Sequence, residues 1–274
     1  MNRNQLIGKV ILAGAGPGDP DLITVKALNY LKKADVIIVD RLVCDQLLED
    51  HANKDALILH TGKQRQKENS TPQFIINELL VEYALQGKLV VRLKGGDVSL
   101  FSNLLDELKA LSKHQISYEI IPGITAAAGA AAYAGIPLTA REHAHSVRFL
   151  TFYKKDLLEE GYWQELALTQ DTLVFYMSSD LTDSLVQRLV ENEIPADRFI
   201  SVIEQATTPV QNVYTCNIHD YAKKWTGKNY ISPTLIIIGK VAGLQEEFAW
   251  LPNSNSRENF FKPIEKKSKE EVRA

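Results

Sequence analysis

Glycine, acid and base recur together at five places in the first half of the chain: Gly14-Ala15-Gly16-Pro17-Gly18-Asp19, Asp40-Arg41, Thr61-Gly62-Lys63, Lys94-Gly95-Gly96-Asp97 and Pro122-Gly123-Ile124-Thr125. A glycine pair lets the backbone take positive φ and lets a bulky ligand lie against bare main chain. Taken alone, Asp40 reads as a helix cap or a partner for Arg41 and Lys63 as a solvated loop charge, but glycine, acid and base together at each strand end favour a ligand site over plain turns. Phosphate chemistry fits poorly. Gly14, Gly16 and Gly18 are spaced G-x-G-x-G, and Gly62-Lys63 runs into Gln64, so neither the dinucleotide fingerprint nor the Walker loop is present. Pro17 removes an N–H and Asp19 adds a negative neighbour, both unfavourable to an anion. A ligand that is uncharged or cationic where it meets these turns fits better.

The elements that must position these residues are short apolar runs. KVILAG, DVIIVD, DALILH, KLVVRL and SYEIIPG are near-continuous in Val, Ile and Leu, which is how strands covered on both faces read. Between the first two, Leu22, Val25, Leu28 and Leu31 fall at helical spacing behind Asp19 or Asp21 as the cap. Strand and helix in alternation predict a parallel, doubly wound sheet, and all five turns then lie on its carboxyl rim, where such sheets bind ligands. This α/β domain is expected over residues 1–140. A second series, SVRFLTF, TLVFYMS, RFISVIEQA, VQNVYTCNI and PTLIIIGKV, predicts a second α/β domain with a mixed sheet over residues 141–245. Residues 246–274 read as a polar tail, solvated or disordered after Pro252.

Composition narrows the classes. At 274 residues, with 45% hydrophobic and 24% charged content, the chain suits two medium cores. The net charge of −3 argues against nucleic acid as the main partner. Cys44 and Cys216 stand far apart and outside any C-x-x-C pair, so neither a disulfide framework nor a thiolate metal knot is expected, and the setting reads as cytoplasmic. The opening stretch carries no signal peptide or membrane span. His143 and His145 lack a third ligand in pattern, and no metal site is expected. The first strand starts within about ten residues of the beginning, which leaves no room ahead of it for a fused domain, and one activity is expected.

GAGPGDPDLITVKA, ADVIIVDRLV, VVRLKGGD, PGITAA, AGIPLTAR, LVFYM and PTLIIIGKV, in this order over about residues 8–243, resemble the tetrapyrrole methylases. The likeness is strongest to members that methylate uroporphyrinogen III. It implies two α/β domains, a homodimer, and S-adenosyl-L-methionine folded into the cleft between the domains. A cationic sulfonium agrees with turns that disfavour phosphate. The matching cofactor contacts are Pro17, Gly95, Gly96, Asp97, Leu100, Thr125, Ala126, Met177 and Ala206. The implied reaction carries methyl groups to two pyrrole carbons of uroporphyrinogen III, giving precorrin-2 on the way to sirohaem or cobalamin. Asp40 matches the family's proton acceptor and Lys63 its proton donor. A polycarboxylate substrate calls for cations, and Arg41, Arg92 and Arg141 are the candidates.

Two departures from the family pattern bear on substrate preference. After Gly-Gly-Asp the chain reads VSLFSNLLDE in place of a Pro-aromatic stretch and Gly-Arg-Gly-Gly-Glu, and PLTAR carries Ala140 where the family has His. The alternatives are a methyltransferase acting on a later corrin intermediate, a more distant one acting on RNA or on diphthine, and a non-catalytic homologue that binds tetrapyrrole or cofactor. The charge speaks against RNA, and the retained Asp40 and Lys63 against the last.

Overall fold

The computed structural model describes residues 7–61, 71–152 and 159–261. Its strands are β1 Lys9–Gly14, β2 Val36–Val39, β3 Leu57–His60, β4 Leu89–Lys94, β5 Ser117–Ile121, β6 Val147–Thr151, β7 Thr172–Tyr176, β8 Phe199–Glu204, β9 Asn212–Asn217 and β10 Thr234–Gly239. The helices are α1 Val25–Leu31, α2 Asp45–His51, α3 Gln73–Leu85, α4 Leu104–Lys113, α5 Ala126–Ala134, α6 Glu160–Leu168, α7 Thr182–Glu191, α8 Tyr221–Trp225 and α9 Gln245–Phe248. By contacts the chain forms two units, one of the described residues up to Thr125 with Phe261, the other Ala126–Phe260.

The first unit is a parallel sheet in the order β3-β2-β4-β1-β5. Val10, Leu12, Val36, Ile38 and Val90 cover one face of it with Ile76, Leu80 and Leu111 of α3 and α4. β1 and β4 lie side by side at the centre. The chain leaves β1 for β2 on one side and leaves β4 for β5 on the other, which makes their carboxyl ends the switch point where open α/β sheets take ligands. The runs DALILH and SYEIIPG depart from the expectation of strands covered on both faces. They form the edges, so Leu57, Tyr118 and Ile120 stay more than two-fifths exposed. Nor does Asp19 or Asp21 start α1. Asp19 caps the short turn Pro20–Leu22, and Thr24 caps α1 by accepting the Ala27 N–H at 3.3 Å.

The second unit is a mixed sheet in the order β6-β7-β10-β8-β9, parallel only between β6 and β7. One face carries a core around Trp163, Phe152 and Phe175. On the other, Ala127, Ala130, Ala131 and Ala134 of α5 pack against Val174, Ile203 and Ile237, small side chains letting the helix lie close to the strands. The PGITAAAGAAAYAG helix therefore packs on the second unit rather than closing the first. Residues 249–260 are not a free tail: Trp250 donates to the Ala132 carbonyl at 2.8 Å, and Asn253 exchanges two hydrogen bonds with the backbone of Val213 on the edge strand β9. Polar composition alone hid this, because amide side chains can pair a strand edge as backbone does.

Candidate active site

Three carboxyl-end turns of the first sheet meet backbone to backbone. Gly96 donates to the Gly16 carbonyl at 2.7 Å and accepts the Gly16 N–H at 3.2 Å, a two-bond bridge between the turns after β1 and β4. A Cβ on Gly14 would stand 2.5 Å from the Gly96 carbonyl oxygen and 2.7 Å from the Gly123 Cα, and one on Gly123 would stand 2.3 Å from the same carbonyl oxygen, so both positions need glycine. Gly96 itself sits at φ +69, the left-handed region that side chains resist. A Cβ on Gly95 would meet the Leu42 carbonyl at 2.8 Å. These glycines thus serve first to let strand ends approach one another, and the main chain of Gly95 and Gly96 is left half-buried on the rim.

Asp97 locks the junction. One oxygen accepts the Ser99 N–H at 2.8 Å and the Ser99 hydroxyl, and the other accepts the Gly123 N–H at 2.8 Å. Burial pushes the carboxyl up, but the Ser99 hydroxyl and the N–H groups of Gly123, Ser99 and Val98 outweigh it and hold the group below the usual carboxylate range. Beyond it the VSLFSN loop is bent by Phe101 at φ +52 and Asn103 at φ +56, with Leu100 half-buried between them and the glycines.

Beneath the rim lies a buried charge cluster. Arg92 and Lys94 alternate along β4 and so share a face. Glu107 of α4, fully buried, accepts from Arg92 Nε at 3.0 Å and from Lys94 Nζ at 2.9 Å. The Arg92 guanidinium also donates to the Ile38 carbonyl and to the Thr61 hydroxyl, each at 3.2 Å, and stands 4.0 Å from Asp40 Oδ1. Burial pushes the Lys94 amine down against the pull of Glu107. Arg92 is therefore displaced from the place expected of it. At 2% exposure, its Nε and Nη1 donate inside the unit and its Nη2 faces Asp40 Oδ1 at 4.0 Å, so the guanidinium is not displayed at the rim as a substrate-facing cation would be.

Asp40 follows β2, two-fifths of its side chain exposed, and its Oδ1 accepts the Arg41 N–H at 3.0 Å. Arg41 is half-buried, and burial pushes its guanidinium down despite Asp40 beside it. Pro17 is half-buried in the β1 turn and Thr125 half-buried at the end of the β5 turn. Within the first unit the structure brings together Pro17, Gly95, Gly96, Asp97, Leu100 and Thr125 on turns of one rim, with Asp40 and Arg41 on the turn after β2. Lys63 lies outside the described residues.

In the second unit two of the residues matched to the cofactor, Met177 and Ala206, lie in or beside left-handed backbone. Met177, just after β7, has φ +53 and is 57% exposed. Ala206, after β8, lies between Gln205 at φ +47 and the β-branched Thr207 at φ +66. Such conformations cost energy and persist only where surrounding contacts enforce them, which is common at ligand sites. Ala126 opens α5, whose Ala127 N–H is accepted by the Tyr176 hydroxyl at 3.1 Å, next to Met177. Arg141 is exposed and its carbonyl pairs with His143 Nδ1 at 3.0 Å. Among the described residues no group of His, Cys, Asp and Glu could hold a metal ion.

Glu107, the burial of Lys94 against it, and Gln205 escaped the sequence reading. The first two had a signal: Arg92 and Lys94 fall on one face of an apolar strand, and buried cations require a buried acid, which the first turn of the next helix supplies. Gln205 had none.

A doubly wound parallel sheet with a glycine junction on its rim, followed by a mixed five-stranded unit, is the build of a two-domain methylase. The chain belongs to the tetrapyrrole (corrin/porphyrin) methylase family, whose model matches residues 9–222. It is 42% identical over 252 residues to the siroheme synthase of Stutzerimonas stutzeri, covering 92% of this chain and 54% of that protein. With the siroheme synthase of Pseudomonas aeruginosa it shares 45% over 243 residues, 89% of this chain and 52% of that one. The chain thus spans about half the length of these relatives. Among solved structures, uroporphyrin-III C-methyltransferase from Thermus thermophilus superposes with a TM-score of 0.73 at 32% identity, covering 91% of this chain and 99% of that one. Its complex with S-adenosyl homocysteine gives 0.68 at 31%, covering 85% and 93%. A cobalt precorrin-4 methyltransferase gives 0.75 at 26%, covering 85% and 95%.

Proposed function

We propose that this chain is an S-adenosylmethionine-dependent methyltransferase that converts uroporphyrinogen III to precorrin-2. The likeness to the Thermus enzyme, along nearly all of that protein's length, carries this reading. The rim fits the cofactor: main chain is bare at Gly95 and Gly96, no Walker loop or dinucleotide fingerprint competes, and the Asp40 carboxylate is open to a cation. Bound there, S-adenosylmethionine supplies an electrophilic methyl group. Pro17, Gly95, Gly96, Asp97, Leu100 and Thr125 on the first unit and Ala126, Met177 and Ala206 on the second are its proposed contacts.

The pyrrole carbon is itself the nucleophile, so the chain's work is to orient the partners and take up a proton. Asp40, whose Oδ1 accepts the Arg41 N–H and stands 4.0 Å from Arg92, is the proposed acceptor, and Lys63 the proposed donor. Arg41 and Arg141 are the proposed cations for substrate carboxylates; Arg92 leaves that set. Two copies are proposed to associate, and the setting is proposed to be cytoplasmic; among the described residues no helix is long and apolar enough to cross a membrane.

The precorrin-4 methyltransferase matches at a slightly higher TM-score but lower identity, which keeps a later corrin intermediate as the second reading. Incubation with S-adenosylmethionine and each macrocycle in turn, followed by mass and absorbance, separates them. Gain of two methyl groups on uroporphyrinogen III is the expected result, and methylation of the later intermediate alone would replace it.

A further inference from the structure

Residues 253–260 lie beyond the motifs that identify the family, yet they are bound to the loop that carries Ala206. Arg257 Nη1 meets both oxygens of the fully buried Glu204, at 3.1 and 3.3 Å, while its Nη2 donates to the Asn229 carbonyl at 2.7 Å. The Gln205 side chain, also fully buried, donates to the Glu258 carbonyl at 2.9 Å and accepts the Phe260 N–H at 2.7 Å, pairing with the segment as a backbone would. Asn253 anchors the far end to Val213 with bonds of 2.7 and 2.9 Å. Between these anchors the chain turns through two left-handed residues, Gln205 and Thr207, that flank Ala206. Neither is glycine, so the turn needs outside support to hold its shape.

We propose that residues 253–260 form a positioning strap for the cofactor loop, with Arg257 and Gln205 as the residues that transmit it. This rests on the reading of Ala206 as a cofactor contact. The strap touches nothing that reacts; it sets the backbone of Gln205–Thr208 in its binding shape before the ligand arrives, so that binding does not have to order it.

The test uses the full chain. Arg257→Ala strands the buried Glu204 carboxylate, so Asn253→Ala, which loosens the strap without unpairing a charge, is measured beside it. Asn217→Ala is the control, since Asn217 ties β9 to the Ala196 carbonyl at 2.7 Å, away from this loop. Both strap variants should weaken S-adenosylhomocysteine binding by about fivefold or more, the scale of one or two lost hydrogen bonds, and leave kcat at saturating cofactor within about twofold. Amide exchange at Thr207 and Thr208, read without ligand, should speed up. Asn217→Ala should lower Tm and leave the affinity alone. Unchanged affinity in both strap variants, or a loss no larger than the control shows for the same drop in Tm, overturns the proposal. Failure of the unaltered protein to bind S-adenosylhomocysteine sinks the reading of Ala206 instead, and unchanged exchange at Thr207 and Thr208 sinks the strap whatever the ligand does.

Discussion

The Asp97 carboxylate accepts the Gly123 amide at 2.8 Å, joining the turn after β4 to the turn after β5 across the end of β1 that lies between them. The Gly16–Gly96 bridge joins the turn after β4 to the turn after β1, so the turn after β4 is tied to both of the others. The acid in the Gly-Gly-Asp turn is thereby a fastener of the rim, whatever contact it makes with a ligand.

Its pH dependence follows from sign. The folded value of Asp97 is depressed, so the stability it contributes is fully present above the unfolded value of 3.8 and is lost as pH falls through the folded one. The Tm gap between the unaltered protein and Asp97→Asn should be widest near neutral pH and close as pH drops below 3.8. A gap that stays constant into acid would remove the carboxylate's charge from the account.

Gly14→Ala should cost about 3 kcal/mol or more, because the new methyl would meet the backbone of Gly96 and Gly123, which cannot swing aside as a side chain can. Gly161→Ala, on α6 with nothing within 4 Å of the added carbon, should leave Tm unchanged or slightly raised. Thermal melts of the two variants decide it.

Removing Glu107 leaves Arg92 and Lys94 buried without an anion. Glu107→Ala should lose about 3–5 kcal/mol, the range for breaking a buried pair from one side. An exposed acid such as Glu165, whose partner Arg148 is itself one-third exposed, should cost under about 1 kcal/mol on the same change. Equal losses in urea titrations would show that burial is not what sets the difference.

Asn103 precedes α4 at φ +56 and makes no side-chain cap bond. Its value lies in tolerating the left-handed region, so Asn103→Gly should be neutral and Asn103→Ala should cost about 1 kcal/mol. Gly96→Val, at φ +69, should lower Tm and S-adenosylhomocysteine affinity together, since one conformation serves both the bridge to Gly16 and the proposed seat of the cofactor on half-buried main chain. Calorimetry on the folded fraction that shows full affinity would make Gly96 a turn residue only.

Asp40→Asn keeps the Arg41 N–H as a partner but loses the basic oxygen. Turnover should fall about a hundredfold with cofactor affinity unchanged, the size of effect for a positioned acid or base. Near-normal turnover would return Asp40 to the role of a turn residue paired with Arg92.

Much of this was written in the order of residues. Val- and Ile-rich runs ending in glycine, acid or base pointed to strands of a parallel sheet with their turns on one rim, since period and punctuation are local properties of the chain. The second, mixed sheet was legible for the same reason. What the linear order could not hold were the partners of each charged group. Arg92 reads as a strand-end cation until Glu107, fifteen residues on, is folded beneath it. The polar stretch after Pro252 reads as solvated until Asn253 and Arg257 find β9 and Glu204. A buried ion pair or a paired strand edge is decided by which elements pack together, and hydrophobic periodicity specifies the faces of those elements without naming the polar residues that meet between them.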